Sequence, residues 1–292
     1  MTPPRSNAPA RLVVGCGYLG TRVAERWLAA GCRVHAITRS PSRAGDLAAR
    51  GIEPIIADVT RPETCRDLPD VATVFWAVGF DRSAGMSFRE VHVDGLARLI
   101  DALPGRPRII LSSSTGVWGT DGGELVTEAT PPEPVRDAGR ILLEAESILH
   151  DHAPGRSTAL RFAGLYGPGR LPRLEDLKAG RPIAADPDSW LNLIHVDDAA
   201  AIVCAIAEAV APKPLYVVSD NAPLRRRDWY ARLAEASSSP APTWDSAAAR
   251  SRGGNKRVDP GLLFRDIPIR LEHPDALAAI ADLVGHVDKG QE

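Results

Sequence analysis

Short apolar runs alternate with amphipathic segments along the first half of the chain. The run at residues 71–78, Val-Ala-Thr-Val-Phe-Trp-Ala-Val, has no charged position, which is typical of a parallel strand buried on both faces. Residues 138–150 instead place apolar side chains at helical spacing. Strands that alternate with helices predict an α/β fold with a doubly wound parallel sheet. The predicted strands are 12–14, 33–38, 52–57, 71–78, 108–111 and 157–162, and the predicted helices are 21–30, 41–50, 88–103 and 138–150.

The second half of the chain is less regular. A helix is predicted to begin near Asp197 and Asp198 and to continue to about residue 209, with one of these aspartates as its cap. We expect this half to form a smaller lobe, interleaved with elements that return to the sheet. Its other predicted elements are helices at 171–179, 226–236 and 275–284 and a strand at 215–218.

Three glycines follow the first apolar run with the spacing G-x-G-x-x-G, namely Gly15, Gly17 and Gly20. In a strand–turn–helix unit the first makes a sharp turn, the second lets a pyrophosphate approach the backbone, and the third lets the helix pack on the strand. The helix N-terminus offers free N–H groups to the phosphates. The stretch predicts a dinucleotide site; the alternative is a glycine-rich turn without a ligand. The other residues of this turn are Cys16, Tyr18 and Leu19.

Composition narrows the classes of function. The chain has 292 residues, of which 44% are apolar, so it can bury a sizeable core. Its formal net charge is −2 and it has no basic tract, so nucleic acid is not an expected partner. No apolar stretch approaches the roughly 20 residues of a membrane span, so we expect no membrane partner. The four cysteines form no C-x-x-C pair, which suits a reducing, cytoplasmic location. No set of histidine, cysteine and carboxylate residues has metal-ligand spacing, so we expect no metal.

Four further motifs follow the glycines in a fixed order: Asp58-Val59, Ser112-Ser-Ser-Thr-Gly-Val-Trp-Gly119, Leu165-Tyr-Gly-Pro168 and Ile194-His-Val-Asp-Asp198. Together the motifs resemble the extended short-chain dehydrogenase/reductase family, the NAD(P)-dependent epimerases and dehydratases. The resemblance implies a Rossmann-type NAD(P)-binding domain and a smaller C-terminal substrate lobe. The expected domain is 11–164, with 195–220 returning to its sheet; the expected lobe is 165–194 with 221–292, and 1–10 is an expected flexible leader.

The end of the second predicted strand bears on the choice of cofactor. NAD sites usually hold an acidic residue there for the ribose 2′-hydroxyl, whereas this chain has Arg39 and Ser40. A guanidinium suits a 2′-phosphate, so we expect NADP in preference to NAD; the alternative is a solvated loop arginine. The resemblance places Asp58, with Val59 beside it, near the adenine amino group, unless Asp58 only caps a strand end. The residues expected to pass the cofactor after the fourth strand are Ala77, Val78 and Gly79.

The catalytic residues of the family are only partly present. The family uses a serine or threonine together with a Tyr-x-x-x-Lys pair, and Ser114 matches the serine. Tyrosine followed four residues later by lysine occurs nowhere in the chain, and the expected positions hold Ala138 and Leu142. This pattern indicates an atypical subgroup. With Ser114 as hydrogen-bond donor, the candidate proton-transfer groups are Asp137, His92 and Tyr166.

The second lobe is expected to contact the substrate. A cationic residue there suits an anionic group such as a phosphate, unless it is an ordinary surface charge paired with a carboxylate. The candidate substrate-binding residues are Arg170, Trp190, Asn192 and Lys256. One functional hypothesis is an NADP-dependent oxidoreductase or epimerase-like enzyme that acts on a hydroxyl or carbonyl of a small molecule, for example a sugar derivative. The other is a non-catalytic NADP-binding sensor or scaffold. A homodimer through helices 88–103 and 138–150 is expected by analogy alone.

Overall fold

Apolar runs from both halves of the chain form a seven-stranded parallel sheet in the computed structural model, which describes residues 8–245 and 254–288. The strands are β1 (Ala10–Val14), β2 (Arg33–Thr38), β3 (Glu53–Ile56), β4 (Thr73–Trp76), β5 (Arg108–Ser114), β6 (Glu124–Val126), β7 (Ser157–Phe162), β8 (Gly164–Tyr166), β9 (Trp190–Leu191), β10 (Leu193–His195), β11 (Leu215–Val218), β12 (Leu224–Arg225) and β13 (Lys256–Val258). The helices are α1 (Tyr18–Ala29), α2 (Pro41–Ala49), α3 (Gly95–Ala102), α4 (Asp137–His152), α5 (Leu174–Lys178), α6 (Val196–Glu208), α7 (Arg226–Ala236), α8 (Gly261–Asp266) and α9 (Ala276–Asp288).

The strand order β11-β7-β5-β4-β1-β2-β3 confirms the predicted doubly wound α/β fold. β1 pairs in parallel with β2 on one side and with β4 on the other. The direction of winding therefore reverses at β1. In open α/β sheets, ligands bind beyond the carboxyl ends of the strands at such a point. The residues after Val14 and after Trp76 lie at this point.

Apolar packing explains why these segments are strands. Leu12, Val13 and Val14 of β1 are fully buried, as are the apolar residues of β4. Helices α3 and α4 contribute Leu96, Leu99 and Leu149 to the same core cluster. Full burial on both faces is what a continuous apolar run predicts for a central parallel strand.

The chain divides into two compact units. Within the described residues, unit 1 contains 8–114 together with Arg136–Arg161 and Ala200–Tyr216, and unit 2 contains Thr115–Val135, Phe162–Ala199, 217–245 and 254–288. Residues 115–135, which we expected within the nucleotide-binding domain, thus group with unit 2. Of the expected leader, residues 1–7 lie outside the described residues, and Ala10 already begins β1.

Unit 2 has its own apolar core. Tyr166, Trp229 and Ile280 are fully buried in one cluster, to which α7 and α9 both contribute. Unit 2 also contains three short strand pairs, which are β10 with β8, β12 with β9, and β13 with β6. These strands have only two or three residues each. None of the helices in the described residues is both long and apolar enough to cross a membrane.

Three local predictions need correction. The segment 88–103 is not one continuous α-helix, because residues 90–94 form a π-turn in which the Gly95 N–H bonds to the carbonyl of Glu90. The predicted helix 171–179 is limited to α5. The carboxylate of Asp198 does not cap α6, since it accepts hydrogen bonds from the backbone N–H groups of Glu272 and His273.

Candidate functional site

The glycine turn between β1 and α1 has the shape that a dinucleotide needs. Gly15 has a φ of +91°, and a Cβ there would lie 2.6 Å from the carbonyl oxygen of Ala77. A Cβ on Gly20 would lie 2.2 Å from the carbonyl oxygen of Gly15, so only glycine allows α1 to pack this close. Around Gly17, in contrast, nothing lies within 4 Å of an added Cβ. The fold therefore requires Gly15 and Gly20, whereas the free space beside Gly17 fits a pyrophosphate.

The start of α1 is prepared for an anion. Gly17 is its N-cap and offers no capping side chain, and the first turn has no acidic residue. The backbone N–H groups and the positive end of the helix dipole are thus available to phosphates. The turn itself is fixed from outside, because Thr21 Oγ1 donates to the Cys16 carbonyl at 2.9 Å and Arg43 donates to the same oxygen at 3.0 Å.

A cavity of about 220 Å³ opens beside this turn. Complete small-molecule sites measure roughly 300–1,000 Å³, so this volume fits one part of a dinucleotide, the adenosine end, rather than all of it. Arg39 is the charged residue of its wall, and among the described residues that form the wall none is acidic. The wall is formed by Val14, Gly15, Cys16, Gly17, Ile37, Thr38, Arg39, Ala57, Val59, Val78 and Gly79.

Arg39 is half-exposed at the cavity edge, with Nη2 3.5 Å from Oδ2 of Asp81. Hydrogen bonds from Ser83 hold the pKa of Asp81 below its usual value, so this carboxylate is charged. Exposed ion pairs of this kind contribute little to stability, so Arg39 can exchange this partner for a ligand. The hydroxyl of Ser40, predicted at the cofactor, accepts from the Arg43 N–H at 3.2 Å and caps α2.

Asp58 stands between the wall residues Ala57 and Val59. Its Oδ1 accepts hydrogen bonds from the N–H and the hydroxyl of Thr60, at 2.9 and 2.6 Å. Burial alone would raise the pKa of Asp58, but the Thr60 bonds outweigh it and lower the pKa. A charged carboxylate at this point suits an amino group of adenine.

Gly95, which follows the π-turn, allows this part of the chain to pack closely on Val59 of the cavity wall. A Cβ on Gly95 would lie 3.0 Å from Val59 Cγ2.

Ser114 ends β5 and is half-buried. Beneath it, the neighbouring Ser113 donates to Glu146 Oε1 at 2.5 Å. The guanidinium of Arg161 donates to both oxygens of Glu146, with Nη2 at 2.7 Å from Oε2. All three side chains of this network are buried. The network joins β5, α4 and β7 and thereby fixes the strand end that presents Ser114.

His92 lies inside the π-turn and is buried, at 6% exposure. Its ring stacks on Phe88 with centroids 4.1 Å apart, and Phe88 contacts Phe80 edge-on at 5.1 Å. Neither ring nitrogen has a hydrogen-bond partner among the described residues. Burial lowers the pKa of His92 to about 4, so the imidazole is neutral near pH 7. Phe80 directly follows Gly79 of the cavity wall, so this aromatic row begins beside the cavity.

The other two proton-transfer candidates are placed less favourably. The side chain of Asp137 is 92% exposed and pairs with Arg140 one turn along α4. Tyr166 belongs to unit 2, where it is fully buried in the apolar core and its hydroxyl has no partner among the described residues. Burial, with Asp220, Asp198 and Asp275 nearby, raises the pKa of Tyr166. That shift is opposite to the one that helps a tyrosine to transfer protons.

Two of the four predicted substrate-binding residues of unit 2 contribute hydrogen bonds to the fold. Asn192 and Lys256 are used in the fold: Asn192 bonds to the backbone of Lys256 and Val258, and the buried Lys256 Nζ donates to the Trp118 carbonyl at 2.8 Å. The exposed Arg170 lies in a tight turn whose backbone pairs with Gly167. Trp190 is half-buried and lies beneath two guanidinium groups. These belong to Arg225, 3.7 Å from the ring centroid, and Arg257, 5.4 Å from it.

The sequence did not single out two acidic groups. Asp81 follows β4 and faces Arg39; its position after a central strand was the signal that could have found it. Asp220 follows β11 and is buried, with Oδ2 lacking a hydrogen-bond partner among the described residues. Burial raises the pKa of Asp220 to about 7, although its Oδ1 accepts the Ala222 N–H at 3.0 Å.

Comparisons with known proteins agree with this geometry. Residues 11–219 match the profile of the NAD dependent epimerase/dehydratase family. The chain is 30% identical over 273 residues to protein YeeZ of Escherichia coli K12, covering 91% of this chain and 96% of YeeZ. It is 27% identical to the human short-chain dehydrogenase/reductase family 42E member 1, covering 80% of this chain and 69% of that protein. A solved structure of a NAD-dependent epimerase/dehydratase from Methylobacillus flagellatus superposes with a TM-score of 0.76 at 29% identity, covering 97% of this chain and 100% of that one.

Proposed function

The chain belongs to the NAD dependent epimerase/dehydratase family, and on that premise we propose that it binds NADP and acts on a hydroxyl or carbonyl of a small molecule. An NAD(P)-dependent, oxidoreductase or epimerase-like role follows from the family. The preference for NADP and the substrate class are the proposal. The observation that carries it is the cavity at the glycine turn, where Arg39 stands in the wall without an acidic neighbour in that wall.

The argument for NADP depends on charge at the ribose. NAD-specific sites place a carboxylate against the 2′-hydroxyl, and a carboxylate there repels a 2′-phosphate. The wall of this cavity offers a guanidinium, which binds phosphate oxygens in a bidentate manner. Arg43 lies close by, since its guanidinium already bonds to Cys16 and Thr21. In the proposed complex, Arg39 and Arg43 would contact the 2′-phosphate of NADP. NAD has no 2′-phosphate, so it would gain no binding energy from these contacts.

Fluorescence titration with NADPH and NADH tests the preference. We expect wild-type protein to bind NADPH at least about tenfold more tightly, about 1.4 kcal/mol, and Arg39→Ala to lose that difference while keeping its affinity for NADH. Arg50→Ala is the matched control, because Arg50 is as exposed as Arg39 but forms its ion pair with Glu25. Equal affinities in the wild type, or an unchanged preference in Arg39→Ala, would refute the assignment of Arg39.

The chemistry would require a proton-transfer group beside the cofactor. When bound, a nicotinamide dinucleotide supplies or accepts a hydride. Ser114, at the end of β5, is the proposed hydrogen-bond donor to a substrate oxygen. Of the other candidates, His92 has a neutral imidazole near pH 7, which can accept a hydrogen bond as well as donate one. Ser114→Ala should lower kcat by about 100-fold or more without changing NADPH affinity.

The proposed substrate carries an anionic group as well as the reacting hydroxyl or carbonyl, as a phosphorylated or otherwise acidic sugar derivative would. Arg225 and Arg257 support this, since both hold positive charge close to the Trp190 ring in unit 2. A panel of neutral and anionic carbonyl compounds, followed by NADPH absorbance, would show the preference.

A second function is favoured by one specific observation. The α4 positions where the family has its Tyr-x-x-x-Lys pair hold Ala138 and Leu142, so α4 supplies no such pair. A non-catalytic NADP-binding sensor or scaffold would bind NADPH, leave it unoxidised with every carbonyl compound tested, and change its partner binding on cofactor addition. Oxidation of NADPH that Ser114→Ala abolishes would exclude this alternative.

A further inference from the structure

Unit 2 contains a group of three metal-ligating side chains that lies outside the cofactor cavity. His195 ends β10, Asp197 lies in the first turn of α6, and His273 lies in the segment that leads to α9. One ligand atom from each falls within 4.8 Å of the others. His273 lies far along the chain from His195 and Asp197, so the three residues form no short ligand motif in the sequence.

The pair from β10 and α6 already has the geometry of two ligands on one ion. His195 Nδ1 lies 3.6 Å from Oδ2 of Asp197. Two ligands at about 2.1 Å from a tetrahedral ion are roughly 3.4 Å apart. Nδ1 also accepts the Asp197 N–H at 3.3 Å, so this nitrogen is the unprotonated one, as a ligand must be. That hydrogen bond is long, and a metal bond can replace it.

The third ligand is held nearby through its backbone. Both carboxylate oxygens of Asp198 accept N–H groups of the 272–273 segment, from Glu272 at 2.7 Å and from His273 at 2.9 Å. The same turn of chain that carries Asp197 therefore anchors His273. The His273 ring now stacks on His195, with centroids 3.7 Å apart and a tilt of 39°. Since His273 is only half-buried, its ring can rotate out of the stack to direct a nitrogen at the ion.

The surroundings favour a cation. His195 is 1% exposed and is held edge-on by the ring of Tyr166, at 5.1 Å. Asp220, whose N–H bonds to the Leu193 carbonyl two residues before His195, has a buried carboxylate oxygen without a hydrogen-bond partner among the described residues. A positive ion nearby would reduce the cost of that buried oxygen.

We propose that His195, Asp197 and His273 form a binding site for a divalent transition ion of the Zn²⁺ class. Two imidazoles and one carboxylate suit zinc or its neighbours rather than Mg²⁺ or Ca²⁺, which prefer oxygen ligands. Three protein ligands leave a fourth position for water or another ligand. The ion would tie the 272–273 segment to the β10–α6 junction and so stabilise unit 2. The site is separate from the proposed NADP site in its residues and in its test.

Isothermal titration of untagged, chelator-treated protein with Zn²⁺, and the visible spectrum with Co²⁺, test the site. We expect one equivalent of Zn²⁺, a raised melting temperature, and Co²⁺ absorption bands of four-coordinate intensity. His273→Ala and Asp197→Asn should each weaken Zn²⁺ binding by more than the roughly 10- to 100-fold that loss of an outer-sphere partner costs. His152→Ala is the matched control, because it removes a part-exposed histidine of unit 1 that pairs with Asp101.

Three results would overturn the proposal: no saturable Zn²⁺ binding, equal loss in His152→Ala, or unchanged binding in His273→Ala. Circular dichroism shows whether each variant is folded. Should both ligand variants fail to fold, the wild-type Co²⁺ spectrum decides, since a weak six-coordinate spectrum contradicts the proposed four-coordinate site. NADPH titration of the same samples keeps this test independent of the cofactor assignment.

Discussion

At the scale of single residues, surroundings separate candidates that look alike in sequence. Asp137, His92 and Tyr166 each carry a group able to transfer a proton. The structure leaves Asp137 in solvent, buries His92 without hydrogen-bond partners among the described residues, and buries Tyr166 in the core of unit 2. Burial disfavours the charged form of the two buried groups, which lowers the pKa of His92 and raises that of Tyr166.

Protonation of His92 should make stability depend on pH. The pKa is about 4 in the folded state and near 6.5 in the unfolded chain. Above pH ~6.5 neither state is charged, so full stability is present; between about 6.5 and 4 only the unfolded state binds the proton, and stability falls by about 3 kcal/mol. His92→Gln should remove this part of the decline. Urea unfolding at about pH 7.5 and about pH 5 measures the part of this fall that is complete by pH 5, about 2 kcal/mol.

The control for this prediction is His152→Gln, which alters a part-exposed histidine paired with Asp101. It should keep the wild-type difference between the two pH values. A decline of the same size in His92→Gln and in wild type would show that His92 is not the titrating group.

At the scale of elements, a buried network connects the strand that carries Ser114 to its neighbours. The carboxylate of Glu146 in α4 accepts hydrogen bonds from Ser113 of β5 and from Arg161 of β7. Such a network is fixed only when every member is present, because each buried charge depends on its partner. It therefore positions the end of β5 without touching a ligand.

Glu146→Ala should destabilise the protein by about 3–5 kcal/mol, because the guanidinium of Arg161 then stays buried without its carboxylate. Glu144→Ala, two residues away on the same helix, removes an exposed ion pair with Arg89 and should leave the stability close to that of the wild type. Chemical denaturation of the two variants gives the comparison. Similar losses in both would contradict a role for the buried network.

The elements also show how far local sequence reasoning reaches. β2, β7, β11 and α7 have the predicted bounds, because each is a clear apolar or amphipathic run with marked ends. The π-turn at 90–94 was missed, since its apolar residues fit a helical period equally well. The two- and three-residue strands of unit 2 were missed because such short pairings have no period of their own.

The candidate cavity lies where the sequence signal is local, and the contacts that sequence reasoning missed are not local. The glycine turn and Arg39 lie within one strand–turn–helix unit and the next strand, so their spacing carried the information. The partners of Asn192 and Asp198 lie more than 60 residues away along the chain, at Lys256 and His273. No spacing rule reports contacts of that kind. Which side chain meets the substrate stays a prediction.

At the scale of the whole molecule, the proposed cofactor site and the other proposed sites belong to different units. Unit 1 holds the cofactor cavity, the aromatic row of His92 and the end of β5. Unit 2 holds the Trp190 surface and the proposed metal site. The homodimer through the helices of unit 1 stays a prediction, which sedimentation of the purified protein would test.

Hydrogen exchange should show this division directly. On addition of NADPH we expect the largest gains in protection at the backbone of 15–20, 38–40, 57–60 and 77–79, because bound ligand reduces local opening of the segments it contacts. Strands β9 and β12 serve as internal references in unit 2. Gains confined to unit 2 would place the cofactor elsewhere.

The central claim is that a dinucleotide occupies the free space beside Gly17, and NADPH titration of Gly17→Ala tests it most directly. A Cβ at Gly17 meets nothing in the protein within 4 Å, so the variant should unfold at the wild-type temperature. It should bind NADPH at least about tenfold more weakly, because the methyl group enters the space of the pyrophosphate. Gly45→Ala, a helical glycine with equally open surroundings, should bind normally. Unchanged NADPH affinity in Gly17→Ala would contradict the account.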